Sequence, residues 1–287
     1  MKAAAAQLRE SVVESEVTGG AVRVPPDCQA TFEQIAESCI DAILANKAPA
    51  ARGNPDAIHA MRIALTRLRA ARLFFSPAVD DAAWRRIDRQ LRRLNSILGK
   101  ARNRDVAIYY ARRKRYRAWV GHSRRKLVRS RDKAHRQLAK SFGSARYSHL
   151  FSALSHWITG RPLPHNGQAR RFDRTDVYCD DHLREWRNEI SREGRHVCSL
   201  RRKRLHQLRI QSKNYRYMVT ALMQCDIPLS REDFLFCEPA RRVHQILGDL
   251  RDLKQLRKAV GRRPPRYRGQ KRKLIKRVEK TFRRYPT

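Results

Sequence analysis

A histidine and two arginines recur at the same spacing in two distant segments of the chain. Each segment reads apolar-His-x-apolar-Arg-Ile with a second arginine six residues after the isoleucine, and the two histidines are 147 positions apart. A guanidinium group can bind phosphate oxygens through two hydrogen bonds, and a histidine can donate one. The pattern therefore indicates binding of an anion. The matching residues are His59, Arg62 and Arg69 in the first segment and His206, Arg209 and Arg216 in the second.

On a helix that turns about 100° per residue, each pattern forms a basic column opposite an apolar stripe. In the second copy Lys213 joins His206, Arg209 and Arg216 within an arc of about 80°. A solvated charged face is the ordinary alternative for a single run of this kind. Its recurrence in a second segment favours a binding site over that alternative.

A third basic column follows the first copy. Arg85, Arg89 and Arg92 stand at four- and three-residue spacing, opposite an apolar stripe that includes Trp84 and Leu91. Like charges at these spacings destabilise an isolated helix. A polyanion lying across the column would relieve the repulsion, so these arginines are also candidate binding residues.

A second pair of similar segments indicates an internal duplication. Residues 97–102 read Ile-Leu-Gly-Lys-Ala-Arg, and residues 246–251, which are 149 positions later, read Ile-Leu-Gly-Asp-Leu-Arg. Two motifs in the same order at nearly the same offset predict two related halves. Arg102 and Arg251 at the ends of these segments join the candidate binding residues, as does Arg67, which flanks the first column.

The apolar spacing predicts helices along most of the chain, and no alternating β-branched run predicts a strand, so an all-α fold is expected. Residues 1–30, with Gly19-Gly20 and Pro25-Pro26, are predicted to be a flexible leader. The two halves are expected at about 31–160 and 171–285. A segment rich in proline and glycine, at about 160–170, is expected to be the loop between them.

Three helix ends lie close to the candidate residues. Asn54 and Pro55 are typical of a helix N-cap and first residue, and they predict a helix that runs to Ser76. The next helix is predicted to stop at Gly99. A break is likewise predicted between residues 247 and 251, since glycine often follows the last turn of a helix.

No cluster of residues predicts catalysis or a resident metal. The chain has no Walker-type glycine loop, G-x-S-x-G elbow, H-E-x-x-H or C-x-x-C motif. His59 and His206 have no His, Cys or carboxylate at ligand spacing on the same helix. We therefore expect no catalytic residue, no metal and no cofactor. The alternative for each histidine is a core residue that hydrogen bonds to a backbone group.

The formal net charge is +38, from 65 Lys and Arg against 27 Asp and Glu, so a strongly anionic partner is expected. Nucleic acids, polyphosphates and lipid head groups all qualify. No apolar run approaches the roughly 20 residues needed to span a bilayer. The six cysteines form no C-x-x-C pair, which favours reduced, buried thiols in the cytoplasm.

The paired motifs resemble the CHAD family, named for a conserved histidine α-helical domain. The resemblance rests on residues 59–63 with 98–106, and on residues 206–217 with 247–252. It implies two four-helix bundles related by pseudo-twofold symmetry, with basic side chains lining a cleft or pore that binds inorganic polyphosphate. Such proteins are linked to bacterial polyphosphate granules. This sequence departs from the family pattern at Thr66, where a cation is usual.

The resulting prediction is a non-catalytic protein that binds inorganic polyphosphate through the duplicated His/Arg faces and associates with polyphosphate granules. A nucleic-acid-binding protein that uses the same surface is the main alternative, because phosphate contacts dominate such affinity. An enzyme that processes polyphosphate is a weaker one. The C-terminal run Lys271-Arg272-Lys273 has no counterpart in the repeat and is expected to lie outside the site.

Overall fold

The computed structural model describes residues 26–76, 82–159, 174–264, 266–283 and 285. Within these residues all regular secondary structure is helical, which confirms the all-α prediction. The helices are α1 (Cys28–Ala45), α2 (Lys47–Ala51), α3 (Pro55–Phe74), α4 (Ala82–Arg112), α5 (Lys114–Val120), α6 (Ser123–Phe142), α7 (Ala145–Thr159), α8 (Thr175–Arg195), α9 (Arg202–Gln224), α10 (Arg231–Val260) and α11 (Tyr267–Arg283).

The N-terminus of α3 is capped as the sequence predicts. Oδ1 of Asn54 accepts hydrogen bonds from the backbone N–H of Asp56 at 2.8 Å and of Ala57 at 3.1 Å, and Pro55 is the first helical residue. These N–H groups have no partner inside the helix, so the cap stabilises this end of α3. His59 then lies one turn beyond a well-defined helix start.

Gly99 and Gly248 do not end helices, contrary to the prediction. α4 continues for thirteen residues past Gly99, and α10 continues for twelve past Gly248. A Cβ atom added to Gly99 would lie 2.8 Å from Nη1 of Arg62, which is too close for an undisturbed contact. At this position glycine therefore allows an arginine of the repeated motif to lie against α4, and it does not end the helix.

Corresponding helices of the two halves meet at the centre of the molecule. α3 packs against α9, and these two helices carry the first and second basic columns. α4 packs in the same way against α10, and the buried apolar side chains form one core that runs through both halves. The pseudo-twofold relation between the halves remains a prediction.

Most of the predicted leader and the whole predicted loop cannot be compared with the structure. Residues 1–25 of the leader and the whole loop at 160–170 lie outside the described residues. Residues 28–30, which were assigned to the leader, form the first turn of α1 instead. Oδ1 of Asp27 accepts a hydrogen bond from the backbone N–H of Ala30 at 2.7 Å and so caps that turn.

A buried ionic network holds α9 beside α8 and α10. Asp233 is only 1% exposed, and its Oδ1 accepts hydrogen bonds from Arg187 of α8 and Tyr215 of α9, each at 2.7 Å. Ser230 caps α10 by accepting from the backbone N–H of Asp233. Breaking a buried ion pair costs about 3–5 kcal/mol, so the network restrains the three helices relative to one another.

The cysteines and the helix compositions bear on two further expectations. Cys28, Cys39 and Cys179 are buried, but Cys198 is exposed, so the expectation of buried thiols is wrong at that position. In the part of the chain that the structure describes, no helix combines the length and the apolar content required to cross a bilayer.

Candidate polyanion-binding site

A central cavity of about 1130 Å³ opens between α3, α4, α9 and α10. Ten of its described lining side chains are arginine or lysine, and Asp88 is the one carboxylate among them. This imbalance produces a strongly positive potential that attracts anions. Nine of the thirteen predicted binding residues line the central cavity: Arg62, Arg69, Arg85, Arg89, Arg92, His206, Arg209, Lys213 and Arg251.

Arg62 is held in place by α4. Its Nη1 donates hydrogen bonds to the backbone oxygen of Asn95 at 2.8 Å and to Oδ1 of the same residue at 3.0 Å. Gly99, one turn further along α4, leaves room for the guanidinium group. Burial, followed by the charges of Arg251 and Arg102, lowers the pKa of Arg62 to about 10. The group therefore stays charged at neutral pH although its surroundings are positive.

Arg209 is held in an equivalent way in the second half. Its Nη2 lies 3.3 Å from Nε2 of His244 on α10, one turn before Gly248. His244 stands 149 positions after Asn95, the same offset as the two glycine motifs. Burial, followed by the charge of Arg209, lowers the pKa of His244 to about 3, so the neutral ring can accept the hydrogen bond at Nε2. Sequence reasoning missed both of these supporting residues, although the repeat offset links them.

Lys213 is surrounded by arginines from three helices. Arg209 lies on the same helix, Arg69 and Arg62 lie on α3, and Arg251 lies on α10. Burial, and then the charges of these arginines, lower the pKa of Lys213 to about 8. An anion bound among them would favour the charged ammonium group and raise that pKa.

Both repeated histidines are uncharged at neutral pH in the free protein. Partial burial, followed by the charge of Arg102, lowers the pKa of His59, and partial burial followed by the charge of Arg209 lowers the pKa of His206. Both residues are exposed, so neither is the buried core histidine that the alternative interpretation required. A ring N–H at either position can donate a hydrogen bond to an anion.

The cations of the α4 column are all exposed, and one of them, Arg92, is paired with a carboxylate. Oδ1 of Asp88 accepts a hydrogen bond from Arg69 at 3.1 Å, and its Oδ2 accepts one from Arg92 at 2.6 Å. Arg85 and Arg89 are exposed at the same wall of the central cavity. Asp88 thus joins α3 to α4, while the exposed pair presents its guanidinium groups to an incoming anion.

Three of the predicted residues lie near one another beside Arg62, outside the lining of the central cavity. After burial, the charges of Arg102, Arg62 and Arg216 all lower the pKa of His59, which places the four side chains in one basic group. The guanidinium of Arg216 lies 4.5 Å from the ring centroid of Tyr217, a cation–π contact that fixes its direction. These residues extend the positive surface around Arg62.

Arg67 points away from the central cavity. Its Nη2 donates a hydrogen bond to Oε1 of Gln224 at the end of α9. Thr66, its neighbour, lines the cavity instead. One residue corresponds to a rotation of about 100° around a helix, so adjacent side chains face different surroundings. Arg67 therefore does not supply the cation that Thr66 lacks.

A second, lateral cavity of about 830 Å³ adjoins the central cavity on the side of the second half. The two cavities share His206, Arg209 and Arg251. Lys271 of α11 reaches the lateral cavity because α11 packs against α10. Lys271 does not line the central cavity, so the expectation that the C-terminal basic run lies outside the site stays a prediction. The other basic residues of the lateral cavity are Arg202, Lys203, Lys254 and Arg257.

These helices form an all-α protein with a basic central cavity. The chain belongs to the CHAD domain family, whose profile matches residues 34–261. Among curated proteins, none matches the sequence.

Two solved structures share the fold. A CHAD domain from the plant Ricinus communis is 18% identical with a TM-score of 0.68, and the match covers 94% of this chain and 91% of that one. PptA from Streptomyces chartreusis is 15% identical with a TM-score of 0.58, and the match covers 91% of this chain and 96% of that one. At these identities the similarity concerns the fold alone.

Proposed function

We propose that this protein binds inorganic polyphosphate in the central cavity and leaves the polymer chemically unchanged. The observation that carries the proposal is the cavity lining, in which ten arginine or lysine side chains stand against one carboxylate. Polyphosphate carries negative charge on every unit, so a chain that crosses the cavity meets cations from four helices. Membership of the CHAD family, which is linked to polyphosphate, supports the same ligand. Association with polyphosphate granules would follow from this binding.

The spacing of the cations suits a uniform polymer. The Cβ atoms of residues three or four positions apart on a helix are about 5–6 Å from each other. The columns of α4 and α9 therefore offer charge at short, regular intervals, with no feature that distinguishes one repeating unit from the next. A linear chain of identical phosphate units can use every position in these columns.

Nucleic acid is the competing ligand that net charge alone would favour. Proteins that bind single-stranded nucleic acids combine basic grooves with exposed aromatic side chains on which bases stack. Trp84 is the one Phe, Trp or Tyr residue among the described lining of the central cavity, and it is only 6% exposed. The cavity thus offers many phosphate contacts and no exposed Phe, Trp or Tyr among its described lining on which bases could stack, which favours polyphosphate.

A competition experiment tests the ligand. Labelled long-chain polyphosphate bound to the protein is displaced by unlabelled polyphosphate, duplex DNA or RNA at equal phosphate concentration and physiological salt. We expect polyphosphate to displace the label at the lowest concentration. Equal or better displacement by either nucleic acid would favour the alternative. Gel analysis of the recovered polymer, with and without magnesium and ATP, should show unchanged chain length, and shortening or growth would indicate an enzyme.

Two matched variants locate the site within the same experiment. Arg85→Ala with Arg89→Ala removes the exposed pair of α4, and Arg125→Ala with Arg129→Ala removes an exposed pair of equal spacing on α6. We expect about a tenfold loss of polyphosphate affinity for the α4 variant beyond that of the α6 variant, because hydrogen bonds to charged groups contribute about 1.5–3 kcal/mol each. Equal losses would mean diffuse attraction to the whole surface.

A further inference from the structure

The lateral cavity continues the central cavity along the groove between α9 and α10. On α9, Lys213 lines the central cavity and Arg202 the lateral one, while Arg209 lines both. On α10, Arg251 belongs to both cavities and Arg257 to the lateral one only. The shared residues mark the junction of the two spaces.

The lateral residues of both helices lie on the same side of this junction. Residues 225–230 join α9 to α10, and so short a connection makes the helices run antiparallel. The N-terminal part of α9 therefore lies beside the C-terminal part of α10. The lateral residues of the two helices come from these two parts and so lie together. From Lys213 to Lys203 the groove follows ten residues of α9, or about 15 Å at 1.5 Å per residue.

The first half has no counterpart to these lateral cations. By the offsets of the repeat, the positions that correspond to the lateral cations of α9 and α10 hold acidic or uncharged residues: Pro55, Asp56, Asp105 and Ile108. Asp105 accepts hydrogen bonds from Arg131 at 2.8 Å and from His135 at 2.9 Å. This carboxylate therefore holds α4 against α6. The lateral cavity is therefore a property of the second half.

The α4 column shows the opposite asymmetry. Arg85 and Arg89 correspond, at the offset of 149, to Phe234 and Glu238 in the second half, whereas Arg92 corresponds to a cation, Arg241. Each half thus supplies different cations to the basic groove. The α4 column of the first half lines the central cavity, and the lateral cavity of the second half adjoins that cavity at His206, Arg209 and Arg251.

We propose that the lateral cavity is the continuation of the polyanion site, so that one linear polyphosphate chain passes from the α4 column through the central cavity into the lateral cavity. This inference rests on the proposed function. Phosphate units that extend beyond the central cavity would contact the cations of the lateral cavity, which are Arg202, Lys203, Lys254, Arg257 and Lys271. This path also implies selection by length, because only a chain long enough to enter both cavities gains all of these contacts.

The electrostatics of the free protein agree with a site for an anion. Partial burial, followed by the charges of Arg202 and Lys258, lowers the pKa of Lys254. No acidic residue is found among the described residues that line the lateral cavity. A bound chain of phosphates would offset this repulsion between cations and favour the charged form of Lys254.

Three lysine substitutions test the proposal in the full-length protein. Lys203→Ala, Lys254→Ala and Lys271→Ala together remove three charges from the lateral cavity. The matched control removes three exposed lysines of α6, which line neither cavity: Lys126, Lys133 and Lys140. Both triple variants and the wild type are titrated with tripolyphosphate and with long-chain polyphosphate, after melting curves have shown that all three proteins are folded.

For long chains we expect the lateral variant to bind at least about tenfold more weakly than the control, with a salt slope smaller by about 2, since three phosphate contacts are lost. Tripolyphosphate is too short to span both cavities, so its affinity should be the same in the two variants. Equal long-chain affinities would overturn the proposal. An equal loss for tripolyphosphate would make the lateral cavity an independent anion site and would also overturn it. If the wild type binds neither polymer, the proposed function itself fails.

Discussion

At the scale of single residues, Lys213 differs from the arginines around it because its charge can be lost near neutral pH. An arginine remains protonated throughout the range in which proteins are stable, whereas a lysine shifts its pKa readily on burial. Burial and the facing charges of Arg209, Arg69, Arg62 and Arg251 lower the pKa of Lys213 to about 8. Part of the positive charge of the central cavity therefore depends on pH.

We expect polyphosphate affinity to fall as the pH rises from 7 to 9.5. The bound polyanion favours protonated Lys213, so binding takes up a proton above pH 8, and affinity decreases there by at most about tenfold per pH unit. In the free protein the repeated histidines are neutral throughout this range, because burial and neighbouring arginines lower their pKa values. Isothermal titration across the range measures the effect.

Lys213→Arg provides the comparison for this pH dependence. Because arginine keeps its charge, the variant should lose most of the decrease in affinity between pH 7 and 9.5. Lys126→Arg on the exposed face of α6 is the control and should retain the wild-type profile. A profile for Lys213→Arg that coincides with that of the wild type would show that another group titrates.

At the scale of helices, α4 and α10 each contain a glycine beside a motif arginine, but the space available for a side chain differs between the two glycines. The Cβ of an alanine at position 99 would lie 2.8 Å from Nη1 of Arg62. At position 248 the nearest atom, Nε of Arg209, would be 3.8 Å away, which is an ordinary van der Waals contact. The two halves therefore respond differently to the same substitution.

Gly99→Ala should displace Arg62 from its two hydrogen bonds to Asn95, whereas Gly248→Ala should be tolerated. Alanine is favoured over glycine inside a helix by about 1 kcal/mol, so Gly248→Ala should match or exceed the stability of the wild type. In Gly99→Ala the loss of bonds to a charged group, about 1.5–3 kcal/mol each, outweighs that gain. Thermal melting and polyphosphate titration of both variants check this. A decrease in both quantities for Gly248→Ala, or in neither for Gly99→Ala, would contradict it.

At the scale of the whole molecule, both halves contribute to one basic groove over one continuous core. The excess charge of +38 repels itself in the free protein, and a bound polyanion offsets that repulsion. The packing of α3 on α9 and of α4 on α10 places cations from distant parts of the sequence around the central cavity. Binding should therefore involve many phosphate contacts at once.

We expect polyphosphate affinity to fall steeply with salt. Each phosphate neutralised on a single-stranded polyanion contributes about 0.7 to the slope of log affinity against log salt, so five contacts give a slope of about −3.5. Titrations at four or more sodium chloride concentrations measure it. The Arg85→Ala, Arg89→Ala variant should show a shallower slope than the matched α6 variant. A flat dependence for the wild type would reject an electrostatic mechanism.

The helical fold, the cap of α3 and the repeated basic columns could be predicted from the amino-acid sequence alone. Apolar spacing identifies the buried side of a helix, and a cap depends on neighbouring residues, so both can be read locally. The repeat offsets also contained the relation between Asn95 and His244, although their role as partners of Arg62 and Arg209 required the structure.

How these surfaces combine depends on the packing of the helices, which the sequence does not reveal. Gly99 lies inside α4, and the guanidinium of Arg62 from a neighbouring helix occupies the space that a side chain at position 99 would need. The separate positions of Thr66 and Arg67, and the entry of Lys271 into the lateral cavity, likewise depend on which helices pack together. Such contacts join residues that are far apart in the chain, and the spacing within one helix carries no information about what faces it.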